Sequence, residues 1–257
     1  MIIDEIWQII REEARSMMAK EPMLGSYFLQ GILNQKRFQD ALGFQIANRL
    51  ESPVMPAVVI REICDEAYAG DPAIVESGAI DLKAVRDRDP AVVYYSTPLL
   101  YLKGYHAIQS YRVAHWLWDN GRTEMACFLQ NLISLKFAVD IHPAARIGRG
   151  IMFDHATGIV IGETAVVGDN VSFLHNVTLG GTGHDLGDRH PKVGSGVLLG
   201  AGSSILGNIT IGDCSKIGAG SVVVKPVAPH STVVGVPGRE AGRCPDKIPA
   251  MEMDQRI

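Results

Sequence analysis

The chain of 257 residues lacks the features that would place it in a membrane or on nucleic acid. No segment approaches the roughly 18 consecutive apolar residues of a membrane-spanning helix, so we expect no membrane segment. Lys and Arg number 24 against 28 Asp and Glu, and there is no basic stripe, so no nucleic-acid partner is expected. The N-terminus mixes acidic with apolar residues and lacks the basic segment of a signal peptide.

Cysteine is scarce, and its placement argues against a metal site. Cys64, Cys127, Cys214 and Cys244 are scattered without the spacing of metal ligands, and we predict no bound metal. We interpret these four residues as reduced thiols of a cytoplasmic protein.

Glycine is infrequent before residue 140 and concentrated after it, which indicates two differently built halves. In the first half, apolar residues recur at helical spacing, as at Trp7, Ile10 and Ala14. Prolines and glycines bound further predicted helices over about 56–70, 71–86, 97–121 (divided near Gly104) and 122–138. An aromatic group is interpreted as helical core or subunit interface rather than as a stacking platform. Its members are Tyr105, Tyr111, Trp116 and Trp118.

From Ile141 the period of the sequence changes to six residues. Every sixth position is large and apolar, or Ala, through 13 steps that an insert of ten residues interrupts. The positions are Ile141, Ile147, Phe153, Ile159, Ala165, Val171 and Val177, then Val193, Leu199, Ile205, Ile211, Ile217 and Val223. One apolar residue in six can line a three-sided coil of about 18 residues, and such coils stack roughly 4.8 Å apart. The pattern predicts a parallel β-helix.

The insert GHDLGDRHPK, residues 183–192, must leave this stack as a loop. It is polar, and its charged and histidine side chains include His184, Asp185, Asp188, Arg189 and His190. A loop without function and a loop beside an active site are both compatible with the sequence, because rigid scaffolds often carry their sites on loops.

Segments in both halves resemble the bacterial serine O-acetyltransferases of the hexapeptide acyltransferase superfamily. They are EPML (21–24), SPVMPAVVIREI (52–63), RDPAV (88–92), STPLLYLKG (96–104), VDIHPAARIGRGIMFDHATGIVIGETAVV (139–167), VTLGGTG (177–183), GDRHPK (187–192), KIGAGSVV (216–223) and GVPGR (235–239). The repeat alone indicates the superfamily, whereas RDPAV, DIHP, DHATG and GDRHP together are more specific.

The resemblance implies an α+β fold in three parts. Residues 1–138 would form a helical domain that supports oligomerisation and contributes to the serine site. Residues 139–240 would form a left-handed parallel β-helix with loop 183–192 extruded, and residues 241–257 a flexible tail. The resemblance also implies a homo-trimer through the β-helix, commonly paired into a hexamer.

The resemblance further implies transfer of the acetyl group of acetyl-CoA to the hydroxyl of L-serine, the first step of cysteine biosynthesis from serine. Acetyl-CoA is a cosubstrate, and no permanently bound cofactor is expected. L-Cysteine, nearly isosteric with serine, is expected to inhibit by occupying the serine pocket.

By resemblance, His155 is the general base and Asp140 the carboxylate that orients it. A neutral imidazole suits proton removal from an alcohol near neutral pH. The two residues are 15 positions apart, three short of an 18-residue coil, so we expect them on adjacent levels of the stack but not in direct register. This spacing is compatible with a contact at a corner but does not establish one. The motifs place no Cys or Ser nucleophile beside His155, which favours direct attack over an acyl-enzyme.

A zwitterionic substrate needs an anion for its ammonium and a cation for its carboxylate. By resemblance, Asp89 and Asp154 hold the amino end, and Arg189 and His190 contact the carboxylate. Simpler roles also fit, since Asp89 precedes Pro90 as a helix-terminal cap would and Asp154 could be a turn residue. Coenzyme A is expected along a groove between adjacent β-helices. Its candidate contacts are Gly180, Gly181, Ala201, Gly202, Lys216 and Ala219, of which Lys216 could equally be an ordinary solvated lysine.

The polar tail MEMDQRI (251–257) ends in Ile257. In the family a C-terminal isoleucine inserts into the active site of O-acetylserine sulfhydrylase, so Ile257 is predicted to bind that enzyme. A disordered end is the alternative.

Three other functions remain open. The first is a hexapeptide acetyltransferase that acts on another hydroxyl, such as a sugar or an antibiotic. The second is a metal-dependent trimer of the γ-carbonic anhydrase type, with zinc on His142, His155 and His175. The third is a catalytically silent scaffold. RDPAV and the charged insert disfavour the first, and the combination of Asp140, His155 and GDRHP disfavours the third.

Overall fold

The computed structural model describes residues 2–183, 186–244 and 248–255. Helices occupy the first part and short strands the second, as predicted. The helices are α1 (Ile2–Lys20), α2 (Gly25–Phe28), α3 (Phe38–Leu50), α4 (Ala57–Gly70), α5 (Ala73–Arg88), α6 (Ser96–Tyr101), α7 (Lys103–Asp119), α8 (Thr123–Phe137) and α9 (Pro249–Glu252). A 3-10 turn (Pro22–Leu24) and a π-helical turn (Leu29–Leu33) flank α2.

The predicted helical faces are buried. Trp7, Ile10 and Ala14 pack into the core on α1, and Tyr105 and Tyr111 are core residues of α7. Their burial confirms the core interpretation for these two aromatic side chains. Helix α3 is missing from the sequence prediction, although Phe38, Ala41, Leu42 and Ile46 have helical spacing and are buried. None of the helices in the described ranges is both long and apolar enough to cross a membrane.

Three sheets, parallel except for the last strand of the third, form the walls of a β-solenoid of about 5 turns, which confirms the predicted fold class. The first sheet contains β1 (Val139–Ile141), β4 (Ile159–Ile161), β7 (Thr178–Gly180), β10 (Ser204–Leu206) and β13 (Val222–Val223). The second contains β2 (Arg146–Ile147), β5 (Val166–Val167), β8 (Lys192–Val193) and β11 (Thr210–Ile211). The third contains β3 (Met152–Phe153), β6 (Ser172–Phe173), β9 (Leu198–Leu199), β12 (Lys216–Ile217), β14 (Ser231–Val234) and β15 (Arg239–Arg243).

The stacking of coils corrects the simple six-residue frame. Ile141 stacks on Ile161, and Phe153 stacks on Phe173, so the first coil takes 20 residues (141 to 161) rather than 18. From Ile205 to Val223 the coil takes 18 residues, as predicted. The predicted frame from Ile159 to Val177 consists of buried residues, but each lies two positions before the residue that stacks in the ladder. The sequence did not reveal this shift, because each hexapeptide has two inward-facing positions and both are apolar at the same six-residue period.

The two residues that lengthen the first coil lie between β3 and β4. The ladder step from Phe153 to Ile161 takes eight residues, whereas the next steps take six. The second departure follows β7, where the step from Leu179 to Val193 takes 14 residues and includes the predicted loop. These two corners carry Asp154, His155, Arg189 and His190, whereas a third irregular step, four residues from Val223 to Val227, carries no candidate residue.

A buried ion pair joins the helical half to the first coil. The Asp81 carboxylate on α5 accepts hydrogen bonds from Arg112 Nη2 (2.6 Å) and Gln109 Nε2 (2.8 Å) on α7. Its other oxygen accepts from the backbone N–H of Ile151 at 2.8 Å, and Arg112 also donates to the carbonyl of Gly148. Asp81 is fully buried, so these contacts fix the entry to β3 against α5 and α7.

The described part of the predicted tail packs on the third sheet. Strand β15 pairs antiparallel with β14, and α9 follows after the gap at 245–247. The carbonyl of Ala250 accepts a hydrogen bond from Ser172 Oγ at 2.8 Å. Met253 packs against Val85 and Met152. The outer face of the third sheet is thereby covered, whereas Val160 on the first sheet is exposed.

Candidate functional site

The corner between the third and first sheets carries Asp154 and His155. His155 and Ala156 both have positive φ, 55° and 61°, a conformation uncommon for residues other than glycine. Ala156 is buried, whereas the His155 side chain is 79% exposed. The lengthened corner therefore turns the chain back toward the core and leaves the imidazole in solvent.

The N-terminus of α7 packs directly on this corner. A Cβ added at Gly104 would overlap the carbonyl oxygen of Phe153, so only glycine permits this approach. The neighbouring Lys103 contacts the hydroxyl of Thr157 through its ammonium group. Helix α7 thus brings a positive charge to the same corner as His155.

One pocket unites several of the predicted residues. Asp89, Asp154 and His155 line it together with Lys103 and apolar groups such as Met152. Asp89 terminates α5 and accepts a hydrogen bond from the N–H of Ala91 at 2.8 Å, so it forms the predicted helix-terminal turn while also facing the pocket. Asp154 Oδ1 lies 3.8 Å from His155 Nε2.

The charge of Asp154 depends on its neighbours. Partial burial raises the pKa of its carboxyl group, and the nearby Asp89 raises it further. His155, His175 and the backbone N–H of His155 oppose this shift. Even with Lys103 beside them, two ionised carboxylates give the pocket a net negative charge, which favours a positively charged group over an anion.

Above this corner, the next coils continue the same edge of the solenoid. The carbonyl of His175 accepts a hydrogen bond from the N–H of Gly202, and the carbonyl of Ala201 accepts one from Gly220. His155, His175, Ala201, Gly202 and Ala219 therefore follow one edge, which we call the His155 edge. Three of the predicted coenzyme A contacts lie on it. Lys216 does not, because it is buried on the covered third sheet.

Arg189 and His190 lie at a different corner, between the first and second sheets. Arg189 Nη2 donates to Glu163 Oε2 at 2.6 Å, and the backbone N–H groups of both residues donate to Thr164 Oγ1 at 3.0 Å. The N–H of Thr164 donates to His190 Nδ1 at 3.1 Å, which requires an unprotonated Nδ1. Burial lowers the pKa of His190, and the charge of Arg189 lowers it further.

This second corner, with Gly181, forms what we call the Arg189 edge. A Cβ on Gly181 would contact the Arg189 side chain, so the two residues are neighbours. Gly180 ends β7 immediately before the loop. His184 and Asp185 lie outside the described residues, as does Ile257, whose predicted role in binding a partner stays a prediction.

Asp140 does not meet His155 within the chain. It projects outward from β1, between two buried neighbours, and accepts a hydrogen bond from Gln130 Nε2 at 2.7 Å. Its charge acts on His142 together with those of Glu163 and Arg189, so it faces the Arg189 edge. No hydrogen bond or ion pair between Asp140 and His155 occurs among the described contacts. The spacing is compatible with a corner contact that these residues do not make within one chain, because a count of residues cannot tell which sheet each residue faces.

Three residues near the candidate site were not predicted from the sequence to lie there. Lys103 and Glu163 belong to the quoted segments STPLLYLKG and GIVIGETAVV, but no charge pattern singled them out. His175 entered only as a hypothetical zinc ligand. Within the described ranges, no group of three or more His, Cys, Asp or Glu side chains is arranged to hold a metal ion.

Comparison with known proteins identifies the relatives of this chain. Residues 6–110 match the family model for the N-terminal region of serine acetyltransferase, and residues 190–225 match the bacterial transferase hexapeptide model. A serine acetyltransferase of Salmonella typhimurium is 57% identical over 255 residues, which cover 99% of this chain and 93% of the relative.

Two solved structures show the same architecture. A serine acetyltransferase in complex with cysteine has a TM-score of 0.98 and 54% identity, with 100% of both chains covered. A serine acetyltransferase in complex with CoA has a TM-score of 0.90 and 56% identity, with 93% of this chain and 100% of the other covered. With these similarities over nearly its whole length, the chain belongs to the serine acetyltransferase family and is an acyltransferase of that family.

Proposed function

We propose that the chain transfers the acetyl group of acetyl-CoA to the hydroxyl of L-serine, which yields O-acetyl-L-serine and CoA and begins cysteine synthesis. The observation that carries the proposal is the pocket in which Asp89 and Asp154 lie beside the exposed His155. Two carboxylates suit the ammonium group of an amino acid better than they suit a neutral sugar. The family relationship supports the same substrate pair.

In the proposed mechanism, His155 removes the proton of the serine hydroxyl as its oxygen attacks the thioester carbonyl. The C–O bond forms, and a tetrahedral intermediate then expels the CoA thiolate. The imidazolium of His155 returns the proton to the sulfur, so the enzyme ends unchanged. Asp89 and Asp154 would hold the ammonium group and aim the hydroxyl at His155. In the described part of the chain, no Ser or Cys side chain lines the pocket, which supports direct attack.

We propose that each active site combines two copies of the chain. The His155 edge and the Arg189 edge border opposite sides of the first sheet, and one side of a coil spans up to about 20 Å. Arg189 and His190 could then reach the carboxylate of a substrate at His155 only from a neighbouring subunit. The same neighbour would bring its Asp140 toward His155.

The first sheet is suited to face a threefold axis. Above the outward Asp140 of β1, one row of its outward residues is uncharged and small or medium in size: Val160, Thr178, Ser204 and Val222. Three chains arranged around this sheet would each give one edge to each neighbour, which closes a ring of identical contacts. We propose a homo-trimer built in this way, with pairing of two trimers into a hexamer as a further step.

Acetyl-CoA is proposed to lie along the His155 edge. Stacked coils rise roughly 4.8 Å each, so three levels above His155 extend about 15 Å, enough for much of an extended pantetheine arm. Ala201, Gly202 and Ala219 leave room beside this edge because their side chains are small. Gly180 and Gly181 would approach from the neighbouring subunit. The CoA complex of a relative supports this cosubstrate.

L-Cysteine is proposed to inhibit by occupying the serine pocket. It differs from serine only in a thiol for a hydroxyl, so the same carboxylates and Arg189 can hold it. The cysteine complex of a relative supports this regulation. We also propose that the enzyme acts in the cytoplasm, where the four cysteines, free in the structure, would stay reduced.

The proposal is tested by CoA release from acetyl-CoA with L-serine or with a panel of sugar hydroxyl acceptors. We expect turnover with L-serine, and a loss of about 100- to 10,000-fold in kcat for His155→Ala. His115→Ala is the control, because His115 is also partly exposed but bonds to the carbonyl of Pro143 outside the pocket. Turnover of a sugar without turnover of serine would overturn the substrate, and full activity of His155→Ala would overturn the mechanism.

A further inference from the structure

We propose that His175 is a positioning residue for the reaction, because its ring fixes the orientation of the His155 imidazole. This inference rests on the proposed function of His155 as general base. The observation behind it is the packing of the two rings on neighbouring coils of the His155 edge.

The two rings meet edge to face. Their centroids are 6.2 Å apart, and their planes are inclined by 83°. Aromatic rings favour this arrangement because the positive edge of one ring faces the negative face of the other. Within its own chain His155 has little other support, since its side chain is 79% exposed and the Asp154 oxygen, 3.8 Å away, is beyond hydrogen-bond distance.

The backbone of His175 is fixed on both sides. Its carbonyl accepts a hydrogen bond from Gly202 in the coil above at 2.9 Å. The following residue, Asn176, donates to the carbonyl of Thr157 in the coil below at 2.7 Å. The preceding Leu174 donates to Leu199 at 3.0 Å. His175 therefore presents its ring from a rigid part of the scaffold, whereas His155 stands on an irregular corner.

The Nδ1 atom of His175 does not explain its presence as a structural residue. It is buried and has no hydrogen-bond partner among the described residues of the chain, which is unfavourable for a polar atom. A residue chosen only for packing would avoid this penalty. Two interactions account for a histidine here: the ring contact with His155 and the electrostatic effect of His175 on Asp154.

The consequence for catalysis is specific. An imidazole free to rotate spends less time aligned with the serine hydroxyl, so the rate of proton removal falls. Binding of serine and acetyl-CoA does not depend on that alignment. Loss of the ring at position 175 is expected to lower kcat with little change in either KM.

Two substitutions at position 175 distinguish the role of the ring from the role of its nitrogen atoms. His175→Asn removes the ring and is expected to lower kcat about three- to tenfold. His175→Phe keeps a ring and removes the unpartnered nitrogen, so we expect kcat within twofold of wild type and an unchanged or higher Tm. His230→Asn is the matched control, because His230 also lies at a coil corner and its buried Nδ1 has no hydrogen-bond partner in the described part of the chain. It should retain kcat.

The inference is overturned if His175→Asn keeps the wild-type kcat, or if His175→Phe loses as much as His175→Asn. An equal loss in His230→Asn would also overturn it, since any disturbed corner would then suffice. His155→Ala, measured alongside, separates the two levels of the proposal. If that variant is fully active, the proposed base is wrong; if it is inactive while His175→Asn is normal, only the role of His175 fails.

Discussion

The two edges that border the first sheet differ in how they hold their functional side chains. On the His155 edge, the imidazole projects into solvent and no hydrogen bond to its ring is found among the described contacts. On the Arg189 edge, the guanidinium is paired with Glu163, and His190 is buried against Thr164. One edge offers an exposed imidazole, and the other offers a guanidinium and an imidazole already set in place by their own coil.

This difference follows from the two irregular corners. Two extra residues after β3 are enough to turn His155 outward, but too few to build contacts around it. The longer excursion after β7 returns to Thr164 and closes a small hydrogen-bonded network. In a site assembled from both edges, the binding groups would be held rigidly by their own coil. The proposed base would gain its contacts from the neighbouring subunit.

Among the substitutions that compare the two edges, the largest effect is expected at a carboxylate of the His155 edge, and an ordinary surface carboxylate serves for comparison. Asp154→Asn should lower kcat/KM for serine by about 10- to 150-fold, because it removes a charged partner of the ammonium group. Steady-state kinetics with acetyl-CoA saturating would measure this. Asp119→Asn, a change at an exposed carboxylate near His115, serves as control and should have no effect. Unchanged serine kinetics in Asp154→Asn would remove that residue from the site.

A smaller effect is expected at the Arg189 edge. Glu163→Gln keeps the shape of the side chain but removes its charge, so Arg189 loses its ionic partner. We expect the KM for serine to rise about two- to fivefold with kcat nearly unchanged, in line with a partly exposed pair. Lys83→Gln, which breaks an exposed pair with Asp87, is the control. A loss confined to kcat would argue against a binding role for this edge.

The pH dependence of serine binding sharpens the comparison further. Burial and Asp89 raise the pKa of Asp154, so this carboxylate takes up a proton at a higher pH than an ordinary aspartate. Only its ionised form attracts the ammonium group, so the affinity for serine, measured as a dissociation constant without acetyl-CoA, should fall with decreasing pH before ordinary aspartates titrate. A pH series on wild type and on Asp89→Asn would show this. Asp89→Asn should shift the fall to lower pH, and no shift would contradict the coupling.

The smallest effect concerns a histidine away from both edges. His106 is buried on α7 beside the carbonyl of Leu99. Burial, and to a smaller extent the positive charge of Arg49, lowers its pKa to about 3. The unfolded chain binds a proton near pH 6.5, so the stabilising effect of neutral His106 is complete above that pH and is lost as pH falls toward 3. His106→Gln should flatten the decline of Tm between pH 6.5 and 5 without changing serine KM. An unchanged decline would show that other groups cause it.

The sequence predicted the solenoid because one structural rule, an apolar residue at every sixth position, leaves a long and regular trace. It could not predict the 20-residue first coil, since Ile159 and Ile161 are both buried and either frame looks regular. The family resemblance supplied Asp89, Asp154 and His155, which the fold brings into one pocket. The direction in which Asp140 points could not be predicted, because a six-residue period does not say which sheet of the coil carries each residue.

The composite site is tested most directly by mixing inactive chains. His155→Ala and Arg189→Ala chains, co-expressed in equal amounts, should recover about a quarter of wild-type activity, since a quarter of adjacent pairs combine both intact edges. Wild type co-expressed with the double variant should also give about a quarter. Sites contained within single chains would instead give no recovery in the first mixture and about half of wild-type activity in the second, which would contradict the account.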